Sequence, residues 1–431
     1  MKQVYDVIIV GAGPAGLMAA KTAAEQNLKV ALIERRIDIT KWTRADCMML
    51  YGLEGNFLGE DIRVEVGKII FPKNVFEVKY SGALYPLYHW RVISPGGHHI
   101  DFCSDQPIAA VFDKEILLRD LLGEVVQQKV AILSGTFGVK AENTEKGARV
   151  LIKSKSKEHW LEAKKVIAAD GVNSRITQSI GLNEGRILMG MFRVVQYIME
   201  GVENPYPNSW VQFYGQSISP FAPLHCLQTV HGEKLQKLGA IQPAPGNPEN
   251  DLKRFIAEGA FSSWFKKAKV AYKMGVSVKA FLPLERPVIG NVLAIGDAAA
   301  FAEVENQGAL MCGYHAGHAV RKEIDGEGGI EDYLKWWQRS FEFLNSNIHR
   351  IAQGYAINPY YEDEEIDYLI SLVEGEVFEG SINQYKIPRM LWEAIFRHRD
   401  RIQKERPALN EKVENIQQMT LQDAFTIDRE S

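Results

Sequence analysis

Two kinds of apolar patterning alternate along this chain. Val4–Val10, Lys29–Ile33, Val130–Leu133, Val166–Ala169 and Val292–Ile295 are almost wholly apolar. A strand without a polar face is covered on both sides, as in a parallel sheet between helices. A helix running to about Gln26 separates the first two, and another follows Phe112-Asp113 with Ile116, Leu117, Leu121, Leu122 and Val125 on its apolar face. The segment Gly308–Val320, rich in small residues, predicts a third. In contrast, residues from about Glu60 to Phe102, and again from Gly185 to Pro283, alternate apolar with polar and carry many aromatics. That pattern predicts antiparallel strands, interrupted by one helix over Asp251–Ala268. Thr136–Ala141 and Ala148–Lys153, around a charged turn, predict a small meander.

The C-terminal hundred residues change period again. Leu334, Trp337, Phe341, Leu344, Ile348 and Ile351, spaced by three and four, predict an amphipathic helix across 331–353. Beyond Ile387 the tail is helical and charged, with Arg389, Arg397, Arg399 and Arg401 near Leu391, Trp392 and Phe396. A helical cover over the protein's own core is the preferred reading; a helix lying on a membrane surface is the alternative. The resulting division is a first domain from residues 1–59, 105–182 and 286–330, an inserted sheet domain from 60–104 and 183–285, and a helical region from 331–431.

Composition narrows the function. With 431 residues, 46% of them hydrophobic, the chain can bury large cores in two or three units. A net charge of −4 gives no overall attraction to nucleic acid or acidic membranes. No uncharged apolar run reaches membrane-spanning length, so a soluble or peripheral protein is expected. Cys47, Cys103, Cys226 and Cys312 are scattered without a C-x-x-C pair. That speaks against a structural zinc or a four-cysteine iron–sulfur cluster, and suits a reducing cytoplasm.

The first apolar strand leads directly into Gly11-Ala12-Gly13-Pro14-Ala15-Gly16, a G-x-G-x-x-G pattern in the strand–turn–helix setting it requires. Gly11 permits the turn, Gly13 lets backbone approach a pyrophosphate, and Gly16 lets the helix pack closely. The second strand ends at Glu34, eighteen residues past Gly16, near the place of a ribose-binding acid. A secretory leader would have no such glycines, following strand or acid. Arg35 and Arg44 follow, suited to pair with phosphate, although a solvated basic loop is the ordinary alternative. Two more strands end in an acid, at Asp170-Gly171 and at Gly296-Asp297. The helix after the second would aim free backbone N–H groups back at the same place.

Together the Gly11–Gly16 fingerprint with Glu34, the Ala169-Asp170-Gly171-x-x-Ser174-Arg175 motif and Gly296-Asp297-Ala298-Ala299 resemble the flavoprotein superfamily of the aromatic hydroxylases and geranylgeranyl reductases. Gly313–Val320, Phe112-Asp113-Lys114 and Cys47 look most like the geranylgeranyl reductase branch. The resemblance implies an α/β chain: a Rossmann-like FAD-binding domain, an inserted, mostly antiparallel β-sheet substrate domain and a helical C-terminal region. It implies that Gly11, Gly13, Pro14, Ala15 and Gly16 meet the FAD pyrophosphate and that Glu34 holds the adenosine ribose, with Arg35, Arg44 and Asp170 nearby. Gly296 and Asp297 would hold the ribityl and pyrophosphate part, and Gln307, Gly308 and Ala309 the flavin edge. The chain departs from the family loop Pro-x-x-Gly-x-Gly, having Val304-Glu305-Asn306-Gln307-Gly308-Ala309.

The expected activity is reduction of carbon–carbon double bonds in an apolar, isoprenoid-type substrate. Alternatives are an NAD(P)H- and O2-dependent monooxygenase and a flavoprotein passing electrons to a quinone. With no second G-x-G-x-x-G unit, electrons would come from a transiently bound nicotinamide or a reduced carrier of the ferredoxin type. No metal site is expected. Cys47 and Cys312 should both approach the flavin in this fold, as a redox-active disulfide or as two small buried thiols. His315 and His318 read as structural.

Overall fold

The structure, a computed structural model, describes residues 4–51, 60–155, 157–300, 304–341, 353–354, 356–379, 386–420 and 423. Four of the five apolar runs form the centre of one sheet as parallel neighbours in the order Ala131–Leu133, Val30–Ile33, Val4–Val10, Lys157–Ala168. The fifth, Val292–Ala294, lies parallel to the end of Lys157–Ala168. Val7, Ile8 and Ile9 are fully buried, as a strand with both faces covered requires. The strand Lys157–Ala168 has two roles. Its first half pairs antiparallel with Gly147–Ser154, which continues to Thr136–Thr144, and its second half runs parallel beside Val4–Val10. The meander is therefore an extension of the central sheet.

The helices Pro14–Glu25 and Glu305–Ile324 pack almost backbone to backbone. A Cβ added at Gly313 would stand 2.4 Å from the Ala15 carbonyl oxygen, and one at Gly317 2.6 Å from Thr22 Cβ. This close approach explains the small residues of Gly308–Val320. It also fixes the start of the second helix near the glycine-rich turn.

A second, eight-stranded sheet runs in the order Lys269–Phe281, Leu188–Glu200, Gly232–Pro243, Leu224–Thr229, Ser209–Phe213, His89–Ile93, His99–Cys103, Val377–Glu379. It is mostly antiparallel; Ser209–Phe213 beside His89–Ile93 and Val377–Glu379 beside His99–Cys103 are parallel. Residues 60–104 do not form one insertion. Arg63–Glu65, Lys68–Phe71 and Phe76–Lys79 make a separate small sheet, whose Ile69, Phe71 and Val78 belong to the core of the first domain. Leu84–Leu87 pairs with Ala109–Phe112, which pairs in turn with Met49–Tyr51. Alternation assigns the faces of a strand and leaves its partner undetermined.

Two helical expectations are shortened. The one over Asp251–Ala268 is a helix Pro248–Ala257, a break at Gly259 (φ +85°), and a single 3-10 turn Ser262–Phe265. The one over 331–353 is a helix Gly329–Ser340 that gives way to extended backbone at Phe341; Leu344, Ile348 and Ile351 lie outside the described residues. In the tail, Lys386–Phe396 buries Ile387, Leu391, Trp392 and Ile395 in the same core as Trp90, Trp210 and Phe102 of the eight-stranded sheet. Its apolar face is thus occupied as a cover. Among the described residues no helix is long and apolar enough to cross a membrane.

Candidate functional site

The glycine-rich turn is shaped by collisions that any side chain would cause. Gly11 has φ +102°, and a Cβ there would lie 2.2 Å from the Ala169 carbonyl oxygen; at Gly16 it would lie 1.8 Å from the Gly11 carbonyl oxygen. Gly13 differs, with nothing within 4 Å of its added Cβ. It is the N-cap of Pro14–Glu25 and opens onto a cavity of about 330 Å³. Gly11, Gly13, Pro14, Ala15, Glu34, Arg35, Arg44, Asp170, Asp297 and Ala309 all line that cavity. Gly16, Gly296, Gln307 and Gly308 do not. Gly16 and Gly296 act through packing: at Gly296 (φ +60°) an added Cβ would stand 3.1 Å from Ala15 Cβ. Gln307 is fully buried, with neither amide atom partnered.

The acids at the strand ends differ in state. Glu34 is 5% exposed, and its carboxylate accepts from the Ala12 N–H at 2.7 Å, the Arg36 N–H at 2.9 Å and Arg36 Nε at 3.0 Å. Burial raises its pKa, but Arg36 and the backbone donors outweigh that and hold it below the usual range. Of the adjacent Arg35 and Arg36 it is Arg36 that turns in to the carboxylate, a choice the sequence of two neighbouring arginines leaves open. Asp170 accepts from Ser174 Oγ at 2.5 Å and the Arg175 N–H at 2.9 Å, so it orders the turn into the helix Arg175–Ser179, and burial raises its pKa. Burial also raises Asp297, against the pull of Arg44 and Lys114. The half-buried Arg186 guanidinium, pushed down to about 10 by desolvation, donates to the Leu282 and Ala299 carbonyls and fastens the Gly296-Asp297 turn.

A second cavity, of about 260 Å³, lies between the eight-stranded sheet and the C-terminal helices. Its walls are apolar and aromatic, including Trp90 stacked on Trp210 at 4.0 Å, Tyr214, Ile241 and Leu391. Among the described residues, Cys47, Val194 and Glu305 line both cavities. Around this junction stand buried charges from distant segments. Lys114 makes an ion pair with Asp46, and Lys237 donates to the Cys47 carbonyl oxygen. Burial opposes the charge of Asp46, but Lys114 keeps its pKa below the ordinary value. Desolvation pushes Lys237 down to about 8 and the Cys47 thiol up to about 12. Glu305, the first residue of its helix at φ +52°, is pushed up to about 8 by burial and by the negative charges of Asp46 and Asp297. His225, in the apolar cavity, is pushed down to about 4 by burial, and its Nδ1 accepts from Trp210 Nε1 at 3.1 Å.

Of the two alternatives for Cys47 and Cys312, a disulfide or two separate thiols, the structure has the second. Both thiols are free, and Cys312 is fully buried against Tyr333, lining neither cavity. One turn along a helix is enough to rotate a side chain from the cavity into the packing between helices. His315 is structural, bonded to Asn74 Oδ1 at 2.6 Å and stacked on Trp336 at 4.0 Å. Asp46, Lys237 and His225 carry no signal in the sequence, and Lys114 and Glu305 stand there only within the motifs Phe112-Asp113-Lys114 and Val304–Ala309, without a role of their own.

A family model described as an FAD binding domain matches residues 4–218, from the first strand into the eight-stranded sheet. Those residues carry an FAD-binding domain, and the protein is a flavoprotein. This flavoprotein is 26% identical to the digeranylgeranylglycerophospholipid reductase of Methanosarcina acetivorans, over 88% of this chain and 91% of that one. It is 25% identical to the protein of that name from Methanocaldococcus jannaschii, over 88% and 93%. Among solved structures, a geranylgeranyl bacteriochlorophyll reductase-like protein from Thermoplasma acidophilum shares the fold at a TM-score of 0.73 and 19% identity, with 96% of this chain and all of that one covered. The myxobacterial chondrochloren halogenase does so at 0.58 and 15%.

The residues fit FAD. The open space at Gly13 admits a pyrophosphate, Glu34 and Arg35 suit the adenosine end, and Asp297 with the free N–H groups at the start of Glu305–Ile324 suits the flavin end. When bound, FAD supplies two-electron hydride chemistry.

Proposed function

We propose that this flavoprotein is an FAD-dependent oxidoreductase that saturates carbon–carbon double bonds of an isoprenoid-type chain. One observation carries the reading: among the described residues, a largely apolar cavity meets the cofactor cavity at Cys47, Val194 and Glu305. A hydrocarbon threaded among Trp90, Trp210, Tyr214, Ile241 and Leu391 would bring its end or a bend to that junction. Val194 and Cys47 would press the chain against the cofactor side, and Lys237, by holding the Cys47 carbonyl, fixes the loop that forms the wall. The names of the archaeal relatives support the same substrate class.

The reductant is a nicotinamide or a reduced carrier protein of the ferredoxin type, bound transiently, since the described residues hold no second dinucleotide fold. A lipid substrate would be collected at a membrane surface, with the protein peripheral and otherwise cytoplasmic. The deciding experiment mixes anaerobically reduced protein with lipids bearing geranylgeranyl chains and follows product mass. A gain of two hydrogens per double bond is expected. Oxygen consumption without saturated product would reject the reading.

A further inference from the structure

Saturating a double bond adds hydride to one carbon and a proton to its neighbour, and the proton needs a source inside an apolar cavity. Along walls such as Trp90, Trp210, Val194 and Ile241 water has few partners to hold it beside the double bond, and the polar side chains that line the same cavity include Cys47, Gln196, Gln212, His225, Lys237 and Glu305. Of the three residues at the junction, Val194 has no acidic proton. The Cys47 thiol, at about 12, holds its own too tightly. Lys237 borders the apolar cavity alone and spends its ammonium on the Cys47 carbonyl. His225 is neutral with Nδ1 committed to Trp210, so it too is a weak acid. Glu305 remains.

We propose that the Glu305 carboxyl is the proton donor of the reduction, an assignment that rests on the reductase reading above. Its place is unusual in two independent ways. It lines both cavities, and it does so at φ +52°, a left-handed conformation that glutamate adopts at a cost of about 1 kcal/mol or more. Strain of this kind at the meeting point of two cavities marks a side chain held where packing alone would prefer glycine. Its charged surroundings keep it neutral. Asp46 and Asp297 face it and disfavour a third negative charge, and of the nearby cations Lys114 is committed to Asp46. A carboxyl near 8 carries its proton at neutral pH and can still release it, which is the condition for general acid catalysis.

The step balances. The alkene π pair forms a C–H bond to the Glu305 proton, and the adjacent carbon receives hydride from reduced FAD, which is oxidised by two electrons. Glu305 is left as a carboxylate and regains its proton from water before the next turnover.

The test compares wild type, Glu305→Gln and Glu305→Gly. Glycine suits φ +52°, so the second variant guards against a folding defect. Bound-flavin absorbance is read first, so that the rates compared are those of protein that holds reduced FAD. In an anaerobic single turnover with a geranylgeranyl lipid, both variants should saturate the chain at least about 100-fold more slowly. In infrared spectra of the resting protein, a protonated-carboxyl band should fade in wild type as pH rises past about 8 and be missing in both variants. Saturation by either variant at the wild-type rate overturns the assignment, as does absence of that band in wild type. Failure of wild type itself to saturate any chain overturns the reductase reading instead.

Discussion

The three fingerprint glycines can be separated by one methyl group each. At Gly13 the backbone angles, φ −77° and ψ −176°, are open to alanine, and an added Cβ meets no protein atom within 4 Å. Replacing glycine there also removes unfolded-state entropy, worth about 0.4–1 kcal/mol in favour of folding, against a small loss for alanine as an N-cap. The FAD-free Gly13→Ala protein should therefore melt within a few degrees of wild type. The same methyl occupies the space a pyrophosphate must enter, and overpacking of about 1–3 kcal/mol lowers FAD affinity roughly ten- to hundredfold. Gly16→Ala inverts the pattern. Its Cβ would stand 1.8 Å from the Gly11 carbonyl oxygen, a backbone atom that cannot swing aside. The helix Pro14–Glu25 would have to lift from the strand, costing about 3 kcal/mol in the FAD-free protein. Melting of stripped protein by circular dichroism, with FAD titrated by flavin fluorescence, reads both. Wild-type FAD affinity in Gly13→Ala would show that the pyrophosphate does not lie over this turn, and an unshifted melt in Gly16→Ala would refute the packing argument.

Three further outcomes follow from the junction. Glu305 ionises near its ordinary 4.5 when unfolded and near 8 when folded, so the folded state binds the extra proton between those values and stability falls as pH rises through that window. The slope approaches about 1.4 kcal/mol per pH unit; the stability advantage of FAD-free Glu305→Gln should be small at pH 5 and large at pH 8, and an advantage independent of pH would contradict the burial of the carboxyl. Asp46→Asn should cost about 3–5 kcal/mol by stranding Lys114, whose side chain is 6% exposed; double replacement with Lys114→Met should restore much of that, and no restoration would argue against a private pair. Cys312→Ala should saturate lipid at the wild-type rate and lose roughly 1 kcal/mol as a small cavity, with the same count of reactive thiols in unfolded wild type before and after reductant; a count that rises on reduction would revive the disulfide.

The parts of the fold that were legible in the sequence are those in which one short segment contains its own reason. Val4–Val10 is apolar because both its faces are covered, and Gly16 is small because the carbonyl of Gly11, five residues earlier, lies against it. Where the reason lies elsewhere in the chain, pattern fails. The alternation in residues 60–104 marks strands correctly but cannot tell that Lys68–Phe71 joins the first core while His89–Ile93 joins the second sheet. The three-and-four spacing runs on through Phe341, although the backbone is already extended there.

Glu305 shows the limit most sharply, because local rules give it the wrong charge. An acid in the first turn of a helix is ordinarily stabilised as an anion by the macrodipole, by about 0.3–1 kcal/mol at an exposed end. Here the helix is 20 residues long and the acid is its first residue, so the rule applies in full and predicts a carboxylate. What reverses it is first the desolvation of the carboxyl at the junction and then the negative charges of Asp46 and Asp297, which arrive from two other segments. A shift from 4.5 to about 8 corresponds to roughly 5 kcal/mol, several times the dipole's contribution, so the long-range terms decide the state. The protonation on which the proposed chemistry depends is therefore a property of the assembled junction, and no window of sequence around residue 305 contains it.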